Sequence, residues 1–259
     1  MDGLIELNFT DLILALGLVG MAIALSSWQK LGLEGQLLFA TGRAILQLLV
    51  VGYILAFIFA LNDPWAVLGV LALMLTIAAI VARNRVGKKF KGLLPAIWVS
   101  LLASSALTLS YTIALIIKPP SWYDPQYLIP LAGMVLGNAM NGASLAGERL
   151  ASTIAHHRLE IETHLCLGAT AKQAIALYRK EAIRTGLIPT LNQMMVVGIV
   201  SLPGMFTGQV LSGAAPLNAA SYQILILLMI LLANLMATFL VTEGLYHQFF
   251  NQNEQLVIN

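Results

Sequence analysis

The chain has 259 residues, of which 59% are hydrophobic and only 10% charged, with a mean hydropathy of +0.84. A soluble domain carries about a quarter charged residues, so a water-soluble globular protein is excluded. The net charge of +2 carries little information beside its placement, and the single cysteine, Cys166, rules out an intramolecular disulfide.

A hydrocarbon core about 30 Å thick takes about 20 apolar residues as helix. Seven stretches meet that length, at 9–28, 37–61, 64–82, 93–117, 127–147, 187–212 and 219–246. Alternating ten-residue strands are absent, so helices rather than a barrel must satisfy the backbone in lipid. The expected fold is an all-α polytopic membrane bundle of about seven helices, a single transmembrane domain over 1–259.

The first stretch is flanked by Asp2, Glu6 and Asp11 with no Lys or Arg, the wrong flank for a cleaved signal peptide. Arg43 in the second, with Gln47 one turn on, reads as snorkelling to the headgroups. Asn62-Asp63-Pro64 predicts a tight turn before the third. Arg83, Arg85, Lys88, Lys89 and Lys91 then read as a headgroup anchor. The fourth carries a hydroxyl stripe, Ser100, Ser104, Thr108 and Thr112, which can bond back to its own helix, so packing is the default reading. Lys118-Pro119-Pro120 opens a stiff connection. Of the 14 Lys and Arg residues, all but Lys118 fall on one side of the stretches. The positive-inside rule then places the N-terminus outside and the C-terminus in the cytoplasm.

The fifth stretch carries Gly133 and Gly137 on one face, then Asn138 and Asn141. Amides at membrane depth must find partners, so both face the bundle, bonding to neighbouring helices, or a cavity. Residues 148–186 form the one long segment expected outside lipid, read as a cytoplasmic helix-turn-helix. Gly168 suits the left-handed position that ends a helix. Thr170 and Gln173 match a capping box. A second, amphipathic helix follows, with Ala171, Ala174, Ile175, Tyr178 and Ala182 on one face. It serves either to rest on headgroups or to dock a partner. His156 and His157, about 100° apart on a helix, do not readily share one metal and read as solvated.

In the sixth stretch Pro203 removes a donor and clashes with the carbonyl of Ile199, so Pro203-Gly204 predicts a kink or break near mid-membrane. Gly204 and Gly208 would permit close helix approach. With Met205, Thr207 and Gln209 nearby, Pro203, Gly204, Met205 and Gln209 join Asn138 and Asn141 as expected pathway or gating residues. The ten methionines read as apolar gap-filler.

Glu162 and Gly168, five residues intervening, resemble the EAA loop of ABC importer permeases, whose alanines are here Thr163 and His164. Pro130-Leu131-Ala132-Gly133-Met134, Gly137-Asn138-Ala139-Met140-Asn141, Leu167-Gly168-Ala169-Thr170, Pro189-Thr190-Leu191-Asn192 and 200–209 resemble the FetB-type permease family. That family includes a bacterial iron-export permease and the plant aluminium-sensitivity permeases. The resemblance covers nearly the whole chain.

It implies the membrane half of an ABC transporter in the bacterial inner membrane. Glu160, Glu162, Leu167, Gly168, Ala169, Thr170 and Gln173 would form the coupling element for a separate ATP-binding subunit. ATP and Mg would bind that subunit; this chain has no Gly-x-x-x-x-Gly-Lys-Ser/Thr loop and is expected to bind no cofactor and no nucleic acid. Seven spans are few for a complete pathway, so a homodimer is expected by analogy. The expected function is alternating-access metal export, with iron suggested by the family; no metal ligands are assigned. Plant relatives keep a non-metal substrate such as a nucleotide sugar open. An ion-gradient transporter would need a buried carboxylate relay, and Glu148 and Glu243 sit near the cytoplasmic ends instead. An intramembrane hydrolase would need a nucleophile–base pair at membrane depth, and none is evident.

Overall fold

The computed structural model describes residues 8–61, 63–87, 92–251 and 254–257. Asp2, Glu6, Asn62, Lys88, Lys89 and Lys91 lie outside them. The helices are α1 Phe9–Trp28, α2 Glu34–Leu61, α3 Pro64–Val86, α4 Leu93–Tyr111, α5 Pro125–His156, α6 Arg158–Cys166, α7 Ala171–Val196, α8 Gly204–Leu211 and α9 Pro216–Phe249. A π-helical turn, Thr112–Ile117, extends α4. The expected all-α membrane architecture is what the chain adopts: among the described residues six helices are long and apolar enough to cross a bilayer.

Local chemistry sets the helix starts. Asp63 caps α3 by accepting from the Ala66 amide at 3.0 Å, with Pro64 in the first turn. Asp124 caps α5 by accepting from Gln126 N at 3.0 Å, again with proline next. Proline fits there because its missing N–H would be an orphan anyway.

The 187–212 stretch differs from expectation. It is not one helix: α7 enters it from Ala171 and ends at Val196, a turn follows, and α8 begins at Gly204. The break starts at Gly198, which takes a left-handed φ of 79°, rather than at Pro203. Pro203 instead precedes α8 and accepts from Thr207 N at 3.0 Å. A Cβ on Gly204 or Gly208 would meet nothing within 4 Å, so neither marks the close helix approach expected there.

The chain forms two compact units. One contains α1, α2 and Leu211–Gly213. Its helices expose aliphatic side chains all round, the pattern of lipid-facing surface. The connection between them is pinned where Ser26 Oγ donates to Glu34 Oε1 at 3.0 Å.

The second unit holds α3–α7 and α9, with α5 packed against α3, α4, α7 and α9. The hydroxyl stripe of α4 is buried and bonds inward: Ser100 donates to Ala96 O at 2.7 Å and Thr108 to Ser104 O at 2.8 Å. The closest approach joins α5, α7 and α9. A Cβ on Gly142 would overlap the Asn234 carboxamide, and one on Gly186 would lie 2.7 Å from the Gly142 carbonyl oxygen. Asn234, buried in α9, donates to Thr190 Oγ1 at 2.7 Å and to Gly186 O at 3.4 Å.

Gly142→Ala is expected to cost roughly 1–3 kcal/mol through overpacking, read as a lower melting temperature in detergent. Gly137→Ala, where a Cβ meets nothing within 4 Å, is expected to show no such loss.

Candidate functional site

Two regions of the second unit concentrate chemistry. The first is an elbow. At 1.5 Å per residue α5 is about 48 Å long, well beyond a hydrocarbon core of about 30 Å. Its end past Gly147 therefore runs beyond the length of a hydrocarbon core, at the end where Arg149 ion-pairs with Glu181 of α7 and Leu150 and Ile154 are still fully buried. Helix α5 stops at His157, and α6 turns back toward α7.

Three contacts fix α6. Ile161 is fully buried. The His157 ring stacks on Tyr178 of α7, centroids 5.0 Å apart, while its Nδ1 lies 3.0 Å from Glu160 Oε2. His157, and after it the Tyr178 hydroxyl, hold the Glu160 carboxyl below its ordinary range. His157 is thus solvated on one side, as expected, and also tied to α7 by its stack on Tyr178, a partner distant in sequence. Glu162 accepts from Arg158 Nε at 2.8 Å.

The helix ends follow the sequence signals. Gly168 has φ 92°. Thr170 Oγ1 accepts from Gln173 N at 3.3 Å, and Gln173 Oε1 accepts from Thr170 N at 2.9 Å, completing the capping box. The five residues Ala171, Ala174, Ile175, Tyr178 and Ala182 are all buried, but against the bundle rather than lipid headgroups. Leu159 and Leu167 point the other way, 79% and 81% exposed. The C-terminal segment braces the elbow: Glu254 Oε2 accepts from Ala171 N at 2.9 Å.

The second region is a polar chamber of about 300 Å3 between α3, α5, α7 and α9, lined by Arg85, Asn138, Asn141, Thr190, Gln193 and Asn234. Val86 packs at Gly147 and Met74 at Gly133, so Arg85 sits level with about Leu145. Its Nη1 nevertheless donates to Asn141 Oδ1 at 2.8 Å, roughly 6 Å deeper along α5 at 1.5 Å per residue. The side chain runs inward, not out to the headgroups. Asn138 Nδ2 donates to Met134 O at 2.8 Å, leaving its oxygen for the chamber. Asn234 Oδ1 is buried with no hydrogen-bond partner among the described residues.

Asn138 and Asn141 therefore meet in one chamber; Pro203, Gly204, Met205 and Gln209, on and beside α8, are not among its lining residues. Sequence reading missed Arg85, Thr190, Gln193 and Asn234. Asn234 left a signal, an amide at the middle of the most apolar span; Arg85 was hidden among four other basic residues. Among the described residues no group of three or more His, Cys, Asp or Glu side chains could hold a metal ion.

Long apolar helices enclosing a polar chamber at membrane depth define a polytopic helical membrane protein. A family model matches residues 9–250, and the chain belongs to that family, described as uncharacterised protein family UPF0014. It is 63% identical to a UPF0014 membrane protein of Synechocystis sp., over 98% of both chains. It is 36% identical to the probable iron export permease protein FetB of Escherichia coli, over 97% of this chain and 96% of that one. It is also 36% identical to the protein ALUMINUM SENSITIVE 3 of Arabidopsis thaliana, over 93% of this chain and 87% of the relative. No solved structure matches it.

Removing the cap with Thr170→Ala is expected to cost about 1 kcal/mol locally. Hydrogen exchange should quicken at the amides of Ala171–Ala174 while the exchange of α5 stays unchanged.

Proposed function

We propose that this chain is the membrane-spanning permease subunit of an ATP-driven transporter in the bacterial inner membrane, exporting its substrate by alternating access. The observation that carries the reading is the elbow: a short helix held against the end of the bundle by Ile161 and His157, leaving Leu159 and Leu167 exposed on its other face. Exposed leucines outside lipid mark a docking surface. A cleft on a separate ATP-binding subunit, where ATP and Mg bind, would receive it.

The elbow and the chamber are joined by one rod. The capping box fixes the start of α7 at the elbow, and Thr190 and Gln193 of the same helix line the chamber. At 1.5 Å per residue the two are about 30 Å apart. Pro189 cannot donate to the carbonyl one turn earlier, which gives α7 a compliant point at the chamber wall. A push on Leu167 and Gly168 would tilt the elbow and bend α7 there, changing the side to which the chamber opens. Asn141 and Gln193 are exposed on the single chain. Amides facing lipid are costly, so a second copy of the chain would cover them and complete the pathway. The Escherichia coli relative is named a probable iron export permease, which favours a metal-containing cargo moved outward. An ion-gradient transporter is disfavoured because Glu243 is held by Arg179 at 2.6 Å and Lys172 at 3.3 Å, away from the chamber.

Leu167→Asp and Gly168→Pro are expected to leave membrane insertion intact. Both should abolish co-purification of the ATP-binding subunit or cut its stimulated ATPase at least about tenfold, the loss typical of an anchor residue at an interface. Wild-type ATPase rates in both variants, or a wild-type chain that never captures such a subunit, would refute the assignment.

A further inference from the structure

The chamber also carries information about what it holds. Its lining is a guanidinium, carboxamides and a hydroxyl. Carboxylate, imidazole and thiolate, the side chains that take bare transition-metal ions, are missing from the lining residues. Resting on the reading of the chain as a permease, we infer that the chamber binds an oxyanion-bearing solute, a carboxylate or phosphate compound, with Arg85 as its charged anchor. A metal cargo would cross as a complex with such a ligand and not as the bare ion.

Arg149, Arg158 and Arg179 each face a carboxylate, Glu181, Glu162 and Glu243 respectively. Arg85 faces only the neutral Asn141 oxygen, and no described carboxylate pairs with it. Arg85 is exposed on the single chain, and no described carboxylate neutralises its charge where it lines the chamber. That charge repels an approaching cation and attracts an anion. The guanidinium gives one N–H to Asn141 and keeps the rest of its planar fork, the geometry that grips carboxylate and phosphate oxygens in pairs.

The amides supply the remaining recognition. The bond from Arg85 fixes the Asn141 oxygen outward to α3, which turns its NH2 toward the chamber as a donor. Gln193 adds a further amide. The oxygen of Asn138 is left to accept from a hydroxyl or amide hydrogen of a ligand, while that of Asn234 is buried against Gly142. A solute carrying both oxyanions and hydroxyls would engage Arg85, Gln193 and Asn138 together; a hydrated divalent cation would find only neutral oxygens and a positive charge.

The test is equilibrium binding to the full chain in lipid nanodiscs, with citrate, inorganic pyrophosphate and ferrous ion alone as probes. Citrate or pyrophosphate should bind saturably, the responding probe separating carboxylate from phosphate as the recognised group. Ferrous ion alone should not bind. Arg85→Gln should weaken anion binding about tenfold or more, the loss of a charge-assisted bond, and Arg85→Lys should recover part of it. Both variants must keep the unliganded melting temperature. Gln193→Glu serves as a second variant, placing a carboxylate in the chamber; anion binding should fall and ferrous binding appear. Saturable ferrous binding to the wild-type chain, anion binding indifferent to Arg85→Gln, or no binding of either anion would overturn the inference. None of these readouts uses an ATP-binding subunit, so failure to capture one leaves this result standing.

Discussion

At membrane depth a carboxamide has no water to fall back on, and Asn234 settles how three helices meet. Its NH2 is satisfied only if Thr190 and Gly186 of α7 come within reach. Its oxygen lies where any side chain on residue 142 would stand, so α5 must present glycine there. The same approach brings Gly186 against the Gly142 carbonyl. An unpaired buried amide is expensive and α-carbon contact is available only to glycine, so these positions specify one register among α5, α7 and α9. The chamber is what remains beside that contact, where larger polar side chains line the space.

A second clasp lies about 16 Å along α7, where Arg179 meets Glu243 and also donates to Phe239 O at 3.3 Å. Lys172 reaches the same carboxylate. Glu243 is 28% exposed, so this cluster contributes more to alignment than to stability. Two clasps on one helix make α7 a stiff member from the elbow to the chamber. The elbow is accordingly the joint of two bundle helices, α5 and α7, with α6 as a short spacer, rather than a loop hung beneath lipid.

Local signals in the sequence were sufficient for most of this. Apolar length gives the spans, Asp-Pro gives the starts of α3 and α5, Gly168 ends α6, and Thr170 with Gln173 begins α7. What stayed hidden depends on partners far along the chain. Lys172, Arg179, Lys180 and Arg184 make the first half of α7 look like a surface helix, because the neutralising Glu243 is 64 residues beyond Arg179. The stacking of His157 on Tyr178 and the capping of Ala171 by Glu254 are equally non-local. Pro203 misled in a different way. Proline next to glycine is a fair sign of a break, but the chain had already turned at Gly198, leaving Pro203 to lead into α8.

The turn between α7 and α8 shows why that break is tolerable in an apolar stretch. Gly198 N donates to Ser201 O at 2.9 Å, and the amides of Val200 and Ser201 return to Val196 O at 3.0 and 3.3 Å. The segment satisfies its own backbone and leaves Ile199, Val200 and Leu202 exposed as hydrocarbon. Non-helical backbone at membrane depth is tolerated where its polar groups are satisfied within protein or beside water. Polarity in this protein is thus divided by purpose. Backbone groups at the turn, and hydroxyls along α4, are closed on themselves and carry structure. Arg85, Gln193 and the amides around them are turned toward open volume, and that difference, more than their number, sets the chamber apart from the rest of the bundle.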